Sequence, residues 1–189
     1  MKKFSLKKII VSIAMMVTIF TAGAVGISQN TNTVDASSGN SIWKDTSNIP
    51  IYISPDLTMS EQKAAILSLN QWHSDVPQFS FTQVYSQDQA KIIYSSEKSD
   101  TTGRTTRSTS KTAGTQQWYI TKAVVRVNID KPLYYNSLMQ RTYMHETGHA
   151  LGLNDSYDKN DETKSVMYGT NTTAALADAY LPQNQNRLS

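Results

Sequence analysis

The chain has 189 residues, with 18 Lys and Arg against 15 Asp and Glu, a formal charge of +3 and no cysteine. Four of the 18 cations (Lys2, Lys3, Lys7, Lys8) and one of the 15 anions (Asp35) fall in the first 36 residues, so the remainder carries 14 of each sign. That balance gives no reason to expect nucleic acid or an anionic membrane as partner, and the missing thiols exclude disulfides and a thiolate-ligated zinc.

Residues 1–36 read as a secretory signal peptide. Lysines open it, an apolar run follows from Ile9 to Ile27, and Val34 and Ala36 supply small residues at −3 and −1 of a cleavage point. An uncleaved membrane anchor is the alternative, because the run approaches spanning length. Gly23, Gly26 and the polar stretch Gln29-Asn30-Thr31-Asn32 favour cleavage after Ala36. The expected product is secreted and extracellular, or held at the cell surface if the leader stays. Residues 37–48 read as a short polar segment, too short for a folded prodomain, and residues 49–189 as one domain.

Ile51-Tyr52-Ile53 reads as a first strand, flanked by Pro50 and Pro55. Thr58 and Glu61 have capping-box spacing and open a helix over about Met59 to His73. Ala65, Ile66, Leu69 and Trp72 form its apolar stripe, and Val76-Pro77 ends it. His73 and Asp75 have no partner motif and read as a solvated helix end. Phe79 and Phe81 to Val84 alternate as a second strand, and Ala90 to Tyr94 makes a third. Ser95 to Thr115 is rich in Ser, Thr and Gly, with Arg104, Arg107 and Lys111, and reads as a long surface loop. Gln117 to Thr121 and Ala123 to Asn128 supply two more strands.

Ser137 and Gln140 repeat the capping-box spacing and open a second helix. Leu138, Thr142, His145 and His149 step down one face, with Met144 and Leu151 turned to the core. Gly148 costs about 1 kcal/mol relative to alanine inside a helix, which points to close packing or substrate approach there. The two histidines stand four apart with Glu146 between them, so both imidazoles lie one turn apart on one face. Neutral imidazole ligates zinc well, and the adjacent glutamate suits a general base acting on a zinc-activated water.

Five residues of that kind arise by chance on ordinary amphipathic helices. The continuation is more specific. Gly152 lies three past His149, where helices end on a positive φ. A turn there returns Asp155 toward the histidines. Three protein ligands with one open position is the arrangement of a catalytic zinc. Ser165-Val166-Met167-Tyr168 follows downstream and resembles the methionine turn that lies beneath the zinc site in metzincins, which makes Met167 structural. Tyr157 and Tyr168 are candidates for oxyanion stabilisation or for walls of the site. Asp158 to Glu162 clusters enough oxygen ligands for calcium but lacks regular spacing, and is read as a solvated turn. Glu162 is the alternative third zinc ligand, less favoured than Asp155. Thr173 to Leu181 reads as a short helix stopped by Pro182.

His-Glu-Thr-Gly-His-Ala-Leu-Gly-Leu-Asn-Asp-Ser-Tyr at 145–157, followed by Ser-Val-Met-Tyr, resembles the metzincin clan of zinc endopeptidases. Aspartate as third ligand is similar to the snapalysin family. The order from Ile51 to Tyr94 is similar to the matrixin catalytic domain. The resemblance covers most of residues 43–169 and neither end. It implies an α+β fold, a zincin domain with a twisted mixed sheet of about five strands, an active-site helix, a methionine turn and a small C-terminal subdomain. It also implies that a strand at the cleft edge receives substrate as an added strand, with Gln117 to Thr121 the candidate. The chain departs from matrixins in the 95–115 region. Only three histidines exist and two are committed, so a histidine-built structural zinc cannot form there, and a cysteine switch is excluded by composition.

The expected function is secreted zinc-dependent hydrolysis of protein or peptide substrates by a monomer. His145, His149 and Asp155 hold one ion, which lowers the pKa of its water from 15.7 to about 7, and Glu146 is the base. Two other readings stand beside it: an inactive secreted binding protein on the same scaffold, and a surface protein whose zinc is structural.

Overall fold

The computed structural model describes residues 32–35, 41–99, 101–128, 136–162 and 164–169, with backbone alone at 32–35 and 136–138. They form a seven-stranded mixed sheet and two long helices, α1 (Met59–Asp75) and α2 (Asn136–Leu151). The strands are β1 (Asn32–Asp35), β2 (Ser41–Trp43), β3 (Ile49–Ile53), β4 (Phe81–Gln83), β5 (Ile92–Glu97), β6 (Gly103–Lys111) and β7 (Trp118–Asn128). Their order is β1-β6-β7-β5-β3-β4, with β2 also paired to β7. The α+β class and the mixed sheet agree with expectation. Two short strands at 32–35 and 41–43 enlarge the sheet beyond it.

Alternation explains the inner strands. Ile49, Ile51 and Ile53 of β3 and Ile92 and Tyr94 of β5 turn to one core. Thr58 caps α1 as its spacing predicts: its Oγ1 accepts from the Glu61 backbone N–H, while Glu61 accepts from the Thr58 N–H at 2.7 Å. Ala65, Leu69 and Trp72 are buried, whereas Ile66 is 42% exposed and lies off the stripe. Each buried Trp also uses its polar edge. Trp72 Nε1 donates to Met144 O at 2.9 Å, and Trp43 Nε1 donates to Ala150 O at 2.9 Å, so two indoles pin α2 near its middle and its end.

The largest correction concerns 95–115. Instead of a long loop, β5 runs on to Glu97 and β6 pairs antiparallel with β7 from Gly103↔Val127 to Lys111↔Trp118. Thr105, Arg107 and Thr109 face inward and are buried, while Arg104 bonds Glu97 across the exposed side. A strand of small polar residues gives no apolar signal, because its inner face meets α2 through hydrogen bonds rather than aliphatic contact. The expected pair of strands at 117–128 is likewise one strand. Its register shifts opposite Ser108 and Thr109, and that bulge breaks the alternation between Ile120 and Ala123. Trp118 to Ile120 is therefore flanked by β6 on one side and β2 on the other, so Gln117 to Thr121 is not the sheet edge. Among the described residues the edge on that side is β1, which pairs with β6 through Asn32↔Thr109 to Asp35↔Thr106. Cleavage after Ala36 would remove β1 and leave β6 as the outer strand.

α2 already includes Ser137, so that residue does not precede the helix as its cap, and its side-chain contacts lie outside the described residues. The expected helix at 173–181 also lies outside them.

Candidate metal centre

α2 carries His145 and His149 one turn apart, with ring centroids separated by 4.6 Å and planes at 83°. The helix then stops at Gly152, whose φ is +113°. Leu153 N–H donates to Gly148 O and Gly152 N–H to His149 O, both at 3.0 Å, the paired bonds of a Schellman end. A side chain at 152 would also press on Ser41 O at 2.5 Å, so β2 and the left-handed turn both require glycine. This reversal returns the chain beside its own helix and carries Asp155 to the histidines.

His145 Nε2 lies 3.2 Å, and His149 Nε2 lies 3.5 Å, from Asp155 Oδ1. The three ligand atoms all fall within 4.8 Å of one another. Both opposite ring nitrogens are already committed. His145 Nδ1 donates to Val166 O at 2.8 Å, and His149 Nδ1 donates to Leu153 O at 2.9 Å. With Nδ1 so committed, an imidazole in its neutral form would present Nε2 as a bare lone pair. Asp155 Oδ1 is buried and meets the two Nε2 atoms. Three lone pairs converging on one point repel unless a cation or a proton sits between them.

A tetrahedral zinc with bonds of about 2.0–2.1 Å sets its ligand atoms about 3.3–3.4 Å apart. The observed 3.2 and 3.5 Å separations match, and the donor set of two imidazoles and a carboxylate suits zinc. Without an ion, protons take up the strain. Hydrogen bonds from His145 and then His149 hold the Asp155 carboxyl far below the ordinary carboxylate range. Burial works against charge on His149, but its bonds to Asp155 and to Leu153 O, with the nearby charge of Glu146, raise its pKa overall.

Met167 is fully buried directly under α2. A Cβ on Gly148 would stand 2.3 Å from its Sδ and 3.0 Å from Trp72 Cζ2, so the expected close packing at Gly148 is real. The 165–169 turn is fastened to the ligand loop, since Ser156 N–H donates to Met167 O at 2.8 Å and Gly169 N–H to Ser156 O at 3.0 Å. Gly169 then makes room for the ligand: a Cβ there would lie 2.8 Å from Asp155 Cγ and Oδ1.

Glu146 lies outside the three-ligand cluster and is buried against β6. Thr105 Oγ1 donates to Glu146 Oε2 at 2.7 Å. Tyr157 is 69% exposed and its hydroxyl reaches Asp155 Oδ2 at 3.4 Å, whereas Tyr168 is buried and contributes a backbone bridge with Ser156. In the acidic turn, Asp158 accepts from the Asn160 backbone N–H and Ser156 donates to Asp161, while Glu162 is not part of the ligand group. The third histidine, His73, lines a separate groove with Ile66, Leu69 and Phe81 near the opposite sheet edge. Asp75 is more buried than a solvated helix end requires, and burial raises its pKa despite the bond from Gln71. Sequence reasoning missed Gly103, Thr105 and Gly169, whose roles arise only when β6 and the 165–169 turn are set against α2.

No protein-family model and no curated protein matches the chain. Among solved structures it is similar to the crystal structure of myroilysin, with 16% identity, a TM-score of 0.41 and coverage of 79% of this chain and 63% of that one. The chain thus spans less than two thirds of that protein's length.

Proposed function

We propose that this protein is a zinc-dependent endopeptidase, secreted after loss of its leader and acting as a monomer on protein or peptide substrates. The reading rests chiefly on one observation. Two backbone-oriented imidazoles and an otherwise unpartnered, buried carboxylate oxygen converge with separations of 3.2 and 3.5 Å, which suit a zinc ion. A metzincin-type site with an aspartate third ligand is the finer form of the proposal. It is supported by the glycine turn at 152 and by Met167 packed beneath the helix.

His145, His149 and Asp155 would hold the ion. When bound, zinc would acidify water and polarise the scissile carbonyl. Glu146 takes the proton from the attacking water and passes it to the leaving amine, a role for which its exclusion from the ligand set leaves it free. Its burial keeps competing water away. Once β1 is gone, the outer edge of β6 offers main-chain donors and acceptors beside Glu146, and an extended substrate can pair there with little dependence on sequence.

The test is zinc content and casein cleavage by the processed chain, with and without chelator, beside Glu146→Gln. One zinc per chain, chelator-sensitive cleavage, and zinc retained but turnover lost in Glu146→Gln are expected. Cleavage that survives in Glu146→Gln would refute the mechanism. Zinc bound with no cleavage of any protein would favour the binding-protein reading.

A further inference from the structure

A glutamate has three rotatable side-chain bonds, so a base that must meet its proton repeatedly at one place gains from being held. β6 meets Glu146 at two positions on its inner face. Thr105, buried at 3% exposure, sets its Oγ1 2.7 Å from Glu146 Oε2 and 2.9 Å from Glu146 backbone O. Gly103, two residues earlier, sits against the stem and the other oxygen. A Cβ there would lie 2.9 Å from Glu146 Cγ, 3.0 Å from Oε1 and 3.0 Å from Thr142 Cγ2. A hydroxyl has a single proton to give. The carboxylate is the stronger acceptor, and the helix carbonyl already has its turn of α2 to serve.

We propose that Thr105 is a positioning residue for Glu146, fixing Oε2 and leaving Oε1 for proton transfer, with Gly103 supplying the space in which the carboxylate lies. The inference rests on the reading of Glu146 as the base. The alternative role for Thr105 is purely architectural, tying β6 to α2 through the Glu146 carbonyl.

The two roles separate in a double-mutant cycle read by urea denaturation, without any reference to activity. Thr105→Val is nearly isosteric and removes only the hydroxyl. It should lower the unfolding midpoint of the zinc-free protein clearly in the parent and much less in the Glu146→Ala background, and Thr105→Ser should restore most of the loss. An equal fall in both backgrounds would mean that the backbone carbonyl is the partner, and would overturn the proposal. In the zinc-loaded enzyme, Thr105→Val should lower kcat by about 10- to 100-fold with KM and zinc content unchanged, and Thr105→Ser should recover it. Gly103→Ala, with Thr105 intact, should lower kcat in the same way by displacing the carboxylate. A raised KM at unchanged kcat in these variants would also count against the role. Should the parent cleave nothing, the endopeptidase reading falls, while the denaturation cycle still decides whether Thr105 holds Glu146.

Discussion

Gly148→Ala tests whether the site depends on the packing beneath it. In an exposed helix the change would stabilise by about 1 kcal/mol. Here the added methyl carbon would stand 2.3 Å from Met167 Sδ, 3.0 Å from Trp72 Cζ2 and 3.2 Å from Met167 Cε. Sδ is in the middle of a fully buried side chain, not at a free end, so Met167 must move bodily. Overpacking of this kind costs about 1–3 kcal/mol, and so severe a clash belongs at the upper end, leaving a net loss of about 1–2 kcal/mol. That corresponds to a fall in Tm of about 5 °C by thermal denaturation. The displacement also passes to Val166, whose carbonyl orients His145 at 2.8 Å, so zinc affinity measured by competition with a chromophoric chelator should weaken about 10- to 100-fold. In a Met167→Ala background most of the clash is gone and Gly148→Ala should stabilise. A variant that melts higher than the parent and binds zinc equally well would refute the packing argument.

Gly169→Ala should act on the ligand rather than the fold. Its Cβ would press on the Asp155 carboxyl at 2.8 Å, so zinc affinity should drop about tenfold or more while Tm of the zinc-free protein moves little, as calorimetry with and without zinc can show. The pH dependence follows from opposite shifts. Asp155 is depressed, so its contribution is present above its unfolded pKa and is lost only as pH falls through the lower folded value. His149 is raised, so its contribution is present below its unfolded pKa and is lost as pH rises through the folded value. The zinc-free protein should therefore lose stability as pH rises through the neutral range. Protons compete with the ion for the same Nε2 atoms, so the zinc-induced rise in Tm should grow over that range. A zinc-induced rise that is constant with pH would contradict this assignment of the shifts.

The candidate ligands were legible because helical spacing is local. Four residues make one turn, so His145 and His149 share a face whatever surrounds them, and Gly152 signals the left-handed end that turns the chain toward Asp155. The Thr58 cap and the buried positions Leu69, Trp72, Met144 and Leu151 were legible for the same reason. Edge identity was not, since it depends on which strands pair across long separations. A polar stretch such as Gly103 to Lys111 carries no alternation of apolar residues to announce itself. Only with β6 laid along α2 does Thr105 find Glu146, and only with the 165–169 turn under the helix does Gly169 make room for Asp155. Sequence by itself determined which side chains could bind a metal, because their spacing is set within single turns. The tertiary structure decided how Glu146 and Asp155 are held, because those contacts join segments that no local periodicity relates.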